Sequence, residues 1–497
     1  MSPNDPVVST RSGAVRGIAA DDVLSFKGIR YAIPPVGPLR FAPPQPVEPW
    51  RGVRDATDYG HTAPQPPFPL PAEFDQQYPT IPGPDCLNLN VWSEDPSSRR
   101  PVMVWLHGGG FEGGSSIGYD GSRFARDGVV FVSVNYRLGV DGFTDLGGGV
   151  ANRGLLDQVA ALEWVRDNIA EFGGDPDNVT IFGESSGAMF VGMLLTMPAA
   201  RGLFHRAIMQ SGAGNAVFDV ATARHVGQRL AAALGKPFAP DSFAEVPQPD
   251  LVEALDSVVT ELAGEPDPRR WNGEPGARVT AFKPVVDGQV LPRHPLSAVA
   301  DGVGADVDVL IGSNMEEGRL SLLPGGPIDR IGEATLAEAA RLYEVSAADT
   351  TAAYRLAHPD AGPGDLLALL QRDWWYRAPS VRLAESRASA TAGTYLYEFA
   401  WRSPVLDGQL GACHFLEVPF VFDLLDSPRF QQFTGAKAPQ QLADVMHARW
   451  IAFAATGDPG WPRYDLDRRP VMRFDVTSEV VFDPNPAERT LWNGSRL

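Results

Sequence analysis

Val179-Thr180-Ile181-Phe182-Gly183-Glu184-Ser185-Ser186-Gly187-Ala188 is the stretch on which the reading of this chain turns. Val179 to Phe182 is a short apolar run that suits a buried strand, and Ala188 to Leu195 continues as a helix-compatible segment. A strand that turns straight into a helix forces its central residue into a strained backbone conformation. Side chains two before and two after would collide, so glycine is needed at 183 and 187. The Ser185 hydroxyl is left projecting. The following helix aims its positive N-terminal end at any anion that forms beside it.

The bare G-x-S-x-G pattern is weak in a chain with 51 glycines. A second copy, Gly114-Ser115-Ser116-Ile117-Gly118, follows a glycine-rich loop and lacks both flanking elements, so it reads as loop. Around Ser185 the flanks continue to agree. Val102 to Leu106 and Val129 to Val134 are apolar runs fit for buried strands. Leu155, Val159, Leu162, Val165, Ile169 and Phe172 recur at helical spacing, and Gly173-Gly174 with Pro176 ends that helix. Strand, helix, strand predicts a right-handed crossover and a mostly parallel sheet flanked by helices. Val307 to Ile311 and Thr394 to Phe399 are further strands, and Met446, Trp450 and Phe453 mark a helix before Gly457. The proline-crowded stretch from His61 to Asp85 reads as a long surface excursion. Pro237 to Val279 reads as a second weakly patterned one, and both could border an entrance.

A serine nucleophile needs a base, an orienting acid and donors for an oxyanion. His107-Gly108-Gly109-Gly110-Phe111 follows a strand, and its glycines let backbone N–H groups approach a ligand. In the chain order serine, acid, histidine, the candidate bases are His358, His414 and His447. His447 sits among packing residues of a helix, and His358 in a turn with no strand before it. His414 follows the strand Thr394 to Phe399 and is favoured. For the acid, Glu316 and Glu317 both follow the strand Val307 to Ile311, and spacing does not choose between them. Asp287 reads as a turn aspartate. Phe111, Trp374 and Trp375 could line a pocket but read first as core.

The chain has 497 residues, 44% hydrophobic and 21% charged, as in ordinary globular proteins. A formal charge of -19 and a pI near 4.9 disfavour nucleic acid and anionic membranes as partners. The N-terminal stretch has no apolar leader segment, and no run is long enough to span a bilayer. Cys86 and Cys413 read as two reduced thiols, which points to a cytoplasmic setting. No H-E-x-x-H and no G-x-G-x-x-G opening a first crossover are present, so neither a metal nor any other cofactor is expected.

With these residues in view, the chain resembles the type-B carboxylesterase and cholinesterase family, its bacterial p-nitrobenzyl-esterase-like members in particular. The matching blocks span nearly the whole chain: Phe26 to Ala32 with Pro34 to Phe41, Asp85 to Val91, Asn135 to Gly139, Phe172 to Gly187, and Phe204 to Gly212. The resemblance implies one α/β-hydrolase domain over residues 1–497, with helical insertions at about 213–282 and 318–392 capping the site. It implies Ser185 as nucleophile, Glu317 as acid and His414 as base. The backbone N–H groups of Gly109, Gly110 and Ser186 would form the oxyanion hole. Ser211 matches a hydroxyl just behind these residues, and Glu184 an acid beside the nucleophile. The implied activity is hydrolysis of small esters, short-to-medium acyl or aromatic, through an acyl-enzyme, by a monomer. Two competing readings are a non-catalytic adhesion member and an interfacial lipase. The chain departs from the family at Ser186, usually alanine, and at Pro84, usually glutamate. Cys86 matches a cysteine that is disulfide-bonded in secreted animal members. The tryptophan that binds quaternary ammonium is missing before Asp85, which argues against choline esters.

Overall fold

Val102 to Leu106 are all at most 1% exposed, and so are Val130, Phe131, Val132 and Val134. Such continuous burial, rather than alternation, is what parallel strands covered on both faces require. The computed structural model describes residues 5–67, 74, 79–264, 280–343 and 347–493. Contacts divide the chain into two compact units. One comprises Met1–Phe68, Tyr78–Ala207 and Ala216–Pro295, and the other Pro69–Gln77, Ile208–Asn215 and Leu296–Leu497.

In the first unit the strand order is Gly174–Glu184, Arg100–Leu106, Val130–Val134, Asn88–Ser93, Val23–Arg30, Ile18–Ala20. Arg100–Leu106 pairs parallel with both of its neighbours, Met103 facing Thr180 on one side and Phe131 on the other. From Val130–Val134 outward the pairing is antiparallel. The predicted helix spans Arg153–Asn168, and a 3₁₀ turn, Ile169–Phe172, carries the last two apolar positions of its pattern. Gly173 stops it in the left-handed conformation, at φ 83°.

The region from Pro237 to Val279 is not the loop that its composition suggested. Helices Pro240–Ala244 and Gln248–Gly264 run through it, while residues 265–279 lie outside the described residues. Leu251, Leu255, Val258 and Leu262 recur at helical spacing and join Val226, Leu230 and Phe243 in one buried cluster. Burial of that stripe outweighs the flanking prolines, which here open helices rather than break them. Of the proline-rich stretch 61–85, the described residues form no helix or strand, as expected.

In the second unit the order is Arg206–Gln210, Asp308–Asn314, Thr394–Phe399, Pro470–Phe474, Glu479–Phe482, of which Ile208–Gln210 belong to this unit. Asp308–Asn314, Thr394–Phe399 and Pro470–Phe474 run parallel, and Glu479–Phe482 closes the edge antiparallel. Helix Gln440–Thr456 buries Met446, Trp450 and Phe453 and ends at Gly457, as its pattern predicted. Cys86 and Cys413 are both free and buried, and burial pushes both thiols up, away from reactivity.

Arg137 and Asp157 anchor the first unit. Nε and Nη2 of Arg137 meet the two carboxylate oxygens of Asp157 at 2.8 and 2.7 Å, with side chains 1% and 0% exposed. A third guanidinium nitrogen donates to the Ala42 carbonyl at 2.7 Å. Removing one partner strands a buried charge. Asp157→Ala is therefore expected to lower stability by about 3–5 kcal/mol, measured as a reduced urea midpoint in equilibrium unfolding.

Candidate active site

The strand Gly174–Glu184 delivers Ser185 at φ 58° and ψ −126°, and helix Ser186–Leu194 starts at the next residue. A non-glycine residue at positive φ is held there only by its surroundings. The surroundings are tight. A Cβ at Gly183 would lie 2.5 Å from the Gly187 carbonyl carbon, and one at Gly187 would lie 2.0 Å from the Leu106 carbonyl oxygen. Gly183 therefore answers to the collision across the corner that the sequence predicts. Gly187 answers to the neighbouring strand instead.

The glycine loop approaches this corner for the same reason. A Cβ at Gly108 would fall 2.8 Å from the Glu184 carbonyl oxygen and 3.1 Å from the Ser185 Cβ. Gly109 and Gly110 take φ of 121° and 68°, and Phe111 follows at 69°. Gly113 N–H donates to the Gly109 carbonyl at 2.9 Å and Gly139 N–H to that of Phe111 at 2.8 Å, closing the loop on itself. His107 below it is buried and stacked on Tyr136, with centroids 4.4 Å apart, and burial lowers its pKa to about 4. His107 is thus a neutral strut. Phe111 is 2% exposed against Phe143 and Phe190, so it is core, and so is Trp374 against Tyr343 and Trp492.

In the second unit a hydrogen-bonded cluster forms at the end of Asp308–Asn314. His414 Nδ1 meets Glu317 Oε2 at 2.6 Å, and Glu317 Oε1 accepts from the Ser211 hydroxyl at 2.6 Å and from Asn314 N–H at 2.7 Å. Ser211 reaches this place because its own N–H donates to the Gly312 carbonyl of that strand, at 2.8 Å. Against a carboxylate the imidazole nitrogen is the donor. That fixes the tautomer with hydrogen on Nδ1 and leaves Nε2 as acceptor.

The adjacent glutamates separate cleanly. Glu316 accepts from Arg319 Nε at 2.6 Å and from Ala412 N–H at 2.9 Å, which ties it to backbone and guanidinium rather than to imidazole. Asp287 accepts the N–H groups of Gln289, Val290 and Leu291, a turn aspartate as read. His447 Nδ1 is bonded to the Val421 carbonyl at 2.7 Å. His358 sits 2.6 Å from Glu488, a second histidine–carboxylate pair that the sequence did not announce. Ser115 and Ser116, of the second G-x-S-x-G, bond the Pro79 carbonyl and Asn90 respectively.

Several residues of these clusters were missed. Glu417 accepts from Asn314 Nδ2 at 2.6 Å and Gln210 Nε2 at 3.2 Å, and burial, followed by the nearby Glu317 charge, raises it to about 7. Tyr376 stacks on His414. Glu112, two residues past Gly110, accepts from the N–H groups of Ala281 and Phe282 at 2.8 and 3.2 Å, tying the glycine loop to a distant segment. No pattern flags such residues, since each is defined by a partner far away in the chain.

A parallel sheet whose strand breaks into a helix at a strained serine is the α/β-hydrolase fold. Residues 4–492 match the model of the carboxylesterase family. The chain is 36% identical to para-nitrobenzyl esterase of Bacillus subtilis (strain 168), with 97% of each chain covered. It is 35% identical to phenmedipham hydrolase of Pseudarthrobacter oxydans, covering 96% of this chain and 97% of that protein. A carboxylesterase structure from Geobacillus stearothermophilus superposes with a TM-score of 0.85 at 37% identity, covering 98% of this chain and 99% of the other. The chain belongs to the carboxylesterase family. It is a serine carboxylic ester hydrolase.

Burial pushes the Glu112 carboxyl up to about 8, against its two N–H bonds and Lys283, which favour the charged form, and with Asp256, which opposes it. The folded state then keeps a proton that the unfolded chain has released between about pH 4.5 and 8, so stability falls as pH rises through that window. Glu112→Gln keeps a carbonyl acceptor and cannot ionise. Between about pH 6 and 9 its melting temperature is expected to drop less than that of the wild type, read by thermal unfolding of both proteins in matched buffers.

Proposed function

We propose that Ser185, His414 and Glu317 act as the catalytic triad of this esterase. The observation that carries the reading is the Glu317–His414 hydrogen bond of 2.6 Å, which holds the hydrogen on Nδ1 and so makes Nε2 the basic nitrogen. The strained Ser185 corner and the Gly108 approach to it support the nucleophile and the glycine loop. Nε2 of His414 takes the Ser185 proton as the hydroxyl attacks the ester carbonyl. The N–H groups of Gly109, Gly110 and Ser186 hold the tetrahedral oxyanion. His414 then protonates the leaving alcohol, and water repeats the sequence to release the acid. Glu317 holds the tautomer and stabilises the imidazolium, while Ser211 and the Asn314 N–H fix the Glu317 carboxylate in turn.

Among substrates, we favour small esters with short-to-medium acyl or aromatic groups. Support comes from the names of relatives, a para-nitrobenzyl esterase and a phenmedipham hydrolase, both aligned over nearly their whole length. The helices found within about 213–282 and 318–392 are consistent with cap segments. No described helix is long and apolar enough to cross a membrane.

Ser185→Ala is expected to reduce kcat on p-nitrophenyl acetate by about 10⁴-fold or more, as removal of a triad nucleophile does elsewhere. In the wild type, kcat/KM should fall on acidification through the usual histidine range near about pH 6–7, because the base must be neutral. Stopped assays of p-nitrophenyl acetate hydrolysis by both proteins over a pH series would check both. Wild-type turnover in the alanine variant would end the proposal.

A further inference from the structure

Helix Pro363–Arg372 runs into a wider turn, Asp373–Arg377, before helix Ala378–Ser386 resumes. There the Ala378 N–H bonds the Asp373 carbonyl, five residues back rather than four. Pro379 supplies a local cause, since its ring crowds the carbonyl four residues earlier and it has no N–H to offer. Widened turns of this kind cluster at functional sites.

Buried charges hold the turn in place. Arg372 Nε donates to Asp373 Oδ1 at 2.7 Å, the Tyr354 hydroxyl donates to Asp373 Oδ2 at 2.5 Å, and Arg372 also pairs with Glu488. The Ser380 hydroxyl donates to the Tyr376 carbonyl at 2.7 Å. These contacts fix the backbone on which Tyr376 stands, and none of them uses its ring. The ring lies on the His414 imidazole, with centroids 4.6 Å apart and planes 24° from parallel.

We propose that Tyr376 is a positioning residue for the general base, holding the His414 ring in plane and favouring its protonated form. The inference rests on His414 being the base, as read above. The Nδ1 bond to Glu317 acts at the edge of the imidazole, and the stack acts on its face. A stacked phenol closes one face. Its negative π-face also attracts an imidazolium more than a neutral imidazole, and the imidazolium forms once the serine proton has moved. That attraction is therefore stronger in the transition state than before it.

Among the described residues of the second unit, the titratable groups at this ring include Glu317 and Glu417, with the Cys413 thiol beside it and Glu316, whose carboxylate meets Arg319 and Arg402, close to that thiol. All three carboxylates would favour a protonated ring when ionised. Tyr376 adds to that set without adding charge.

The test compares Tyr376→Leu and Tyr376→Phe on p-nitrophenyl acetate. The leucine variant is expected to lose about tenfold in kcat, with KM little changed, as loss of a partly desolvated cation–π contact implies. The acid limb of its kcat/KM profile should also move to lower pH, because the imidazolium has lost a partner. Phenylalanine keeps the stack and is expected to restore kcat to within about threefold, together with the acid limb. If the leucine variant does not fold, pentafluorophenylalanine at position 376 fills the same space with the polarity of the face reversed, and should reproduce the loss. Wild-type kcat and an unmoved acid limb in the leucine or the pentafluorophenylalanine variant would overturn the inference. His414→Gln, assayed in parallel, separates the two claims. If it is inactive while Tyr376→Leu behaves as wild type, only the role of Tyr376 falls. If it is fully active, the base assignment falls, and this inference with it.

Discussion

The first unit depends on one backbone conformation, Ser185 at φ 58° and ψ −126°. A serine pays for that geometry in strain, on the order of 1–3 kcal/mol for such a residue, and the neighbours are arranged so that no relaxed alternative fits. Leu106 and His107 leave no room at Gly187, and Gly187 leaves none at Gly183. The parallel pairing of Arg100–Leu106 with Gly174–Glu184, Leu106 facing Gly183, sets the corner against the glycine loop that begins at His107. The fold of the first unit is thus a frame that holds one backbone corner in a strained conformation.

The second unit solves a different problem, the orientation of a planar imidazole. A lone imidazole on a loop would sample many directions. Here Glu317 is 1% exposed and its two oxygens are shared among Ser211, Asn314 N–H and His414, so the carboxylate cannot turn. Around it, Asn314 Nδ2 reaches Cys413 O and Glu417, and Gln210 links Glu417 to Trp450. Buried polar groups of this kind are costly unless every one is satisfied, and the chain of bonds from Trp450 to His414 meets most of that cost. Burial, followed by the charge of the neighbouring Glu317, raises the Glu417 carboxyl to about 7.

Much of this could be read in the sequence, and for identifiable reasons. The elbow at Ser185 is legible because steric constraint writes glycine at two fixed offsets, and the strand and helix on either side are continuous apolar runs. Gly173, Gly457 and the face of Gln440–Thr456 are legible because stop signals and 3.6-residue spacing are local. What stayed hidden is what depends on distant partners. Asn88–Ser93 is a fully buried strand with polar residues inside, since Asn90 spends its amide on Ser116 and Ser133, and no apolar pattern betrays it. Residues 248–264 were masked by flanking prolines. The choice between Glu316 and Glu317 rested on family resemblance alone, and the hydrogen bonds separate them: Arg319 and Ala412 occupy one, His414 the other. Tyr376 and Glu112 carried no sequence signal, because a ring stack and a carboxylate–backbone tie are both set by tertiary placement.

The measurement that bears most directly on all of this is the site of covalent capture by a fluorophosphonate, located by peptide mapping and mass spectrometry. If the raised hydroxyl is the activated one, the label falls on Ser185 and on no other serine, and its rate of attachment declines as the solution is acidified. Labelling at another serine, or none while ester turnover continues, would contradict it.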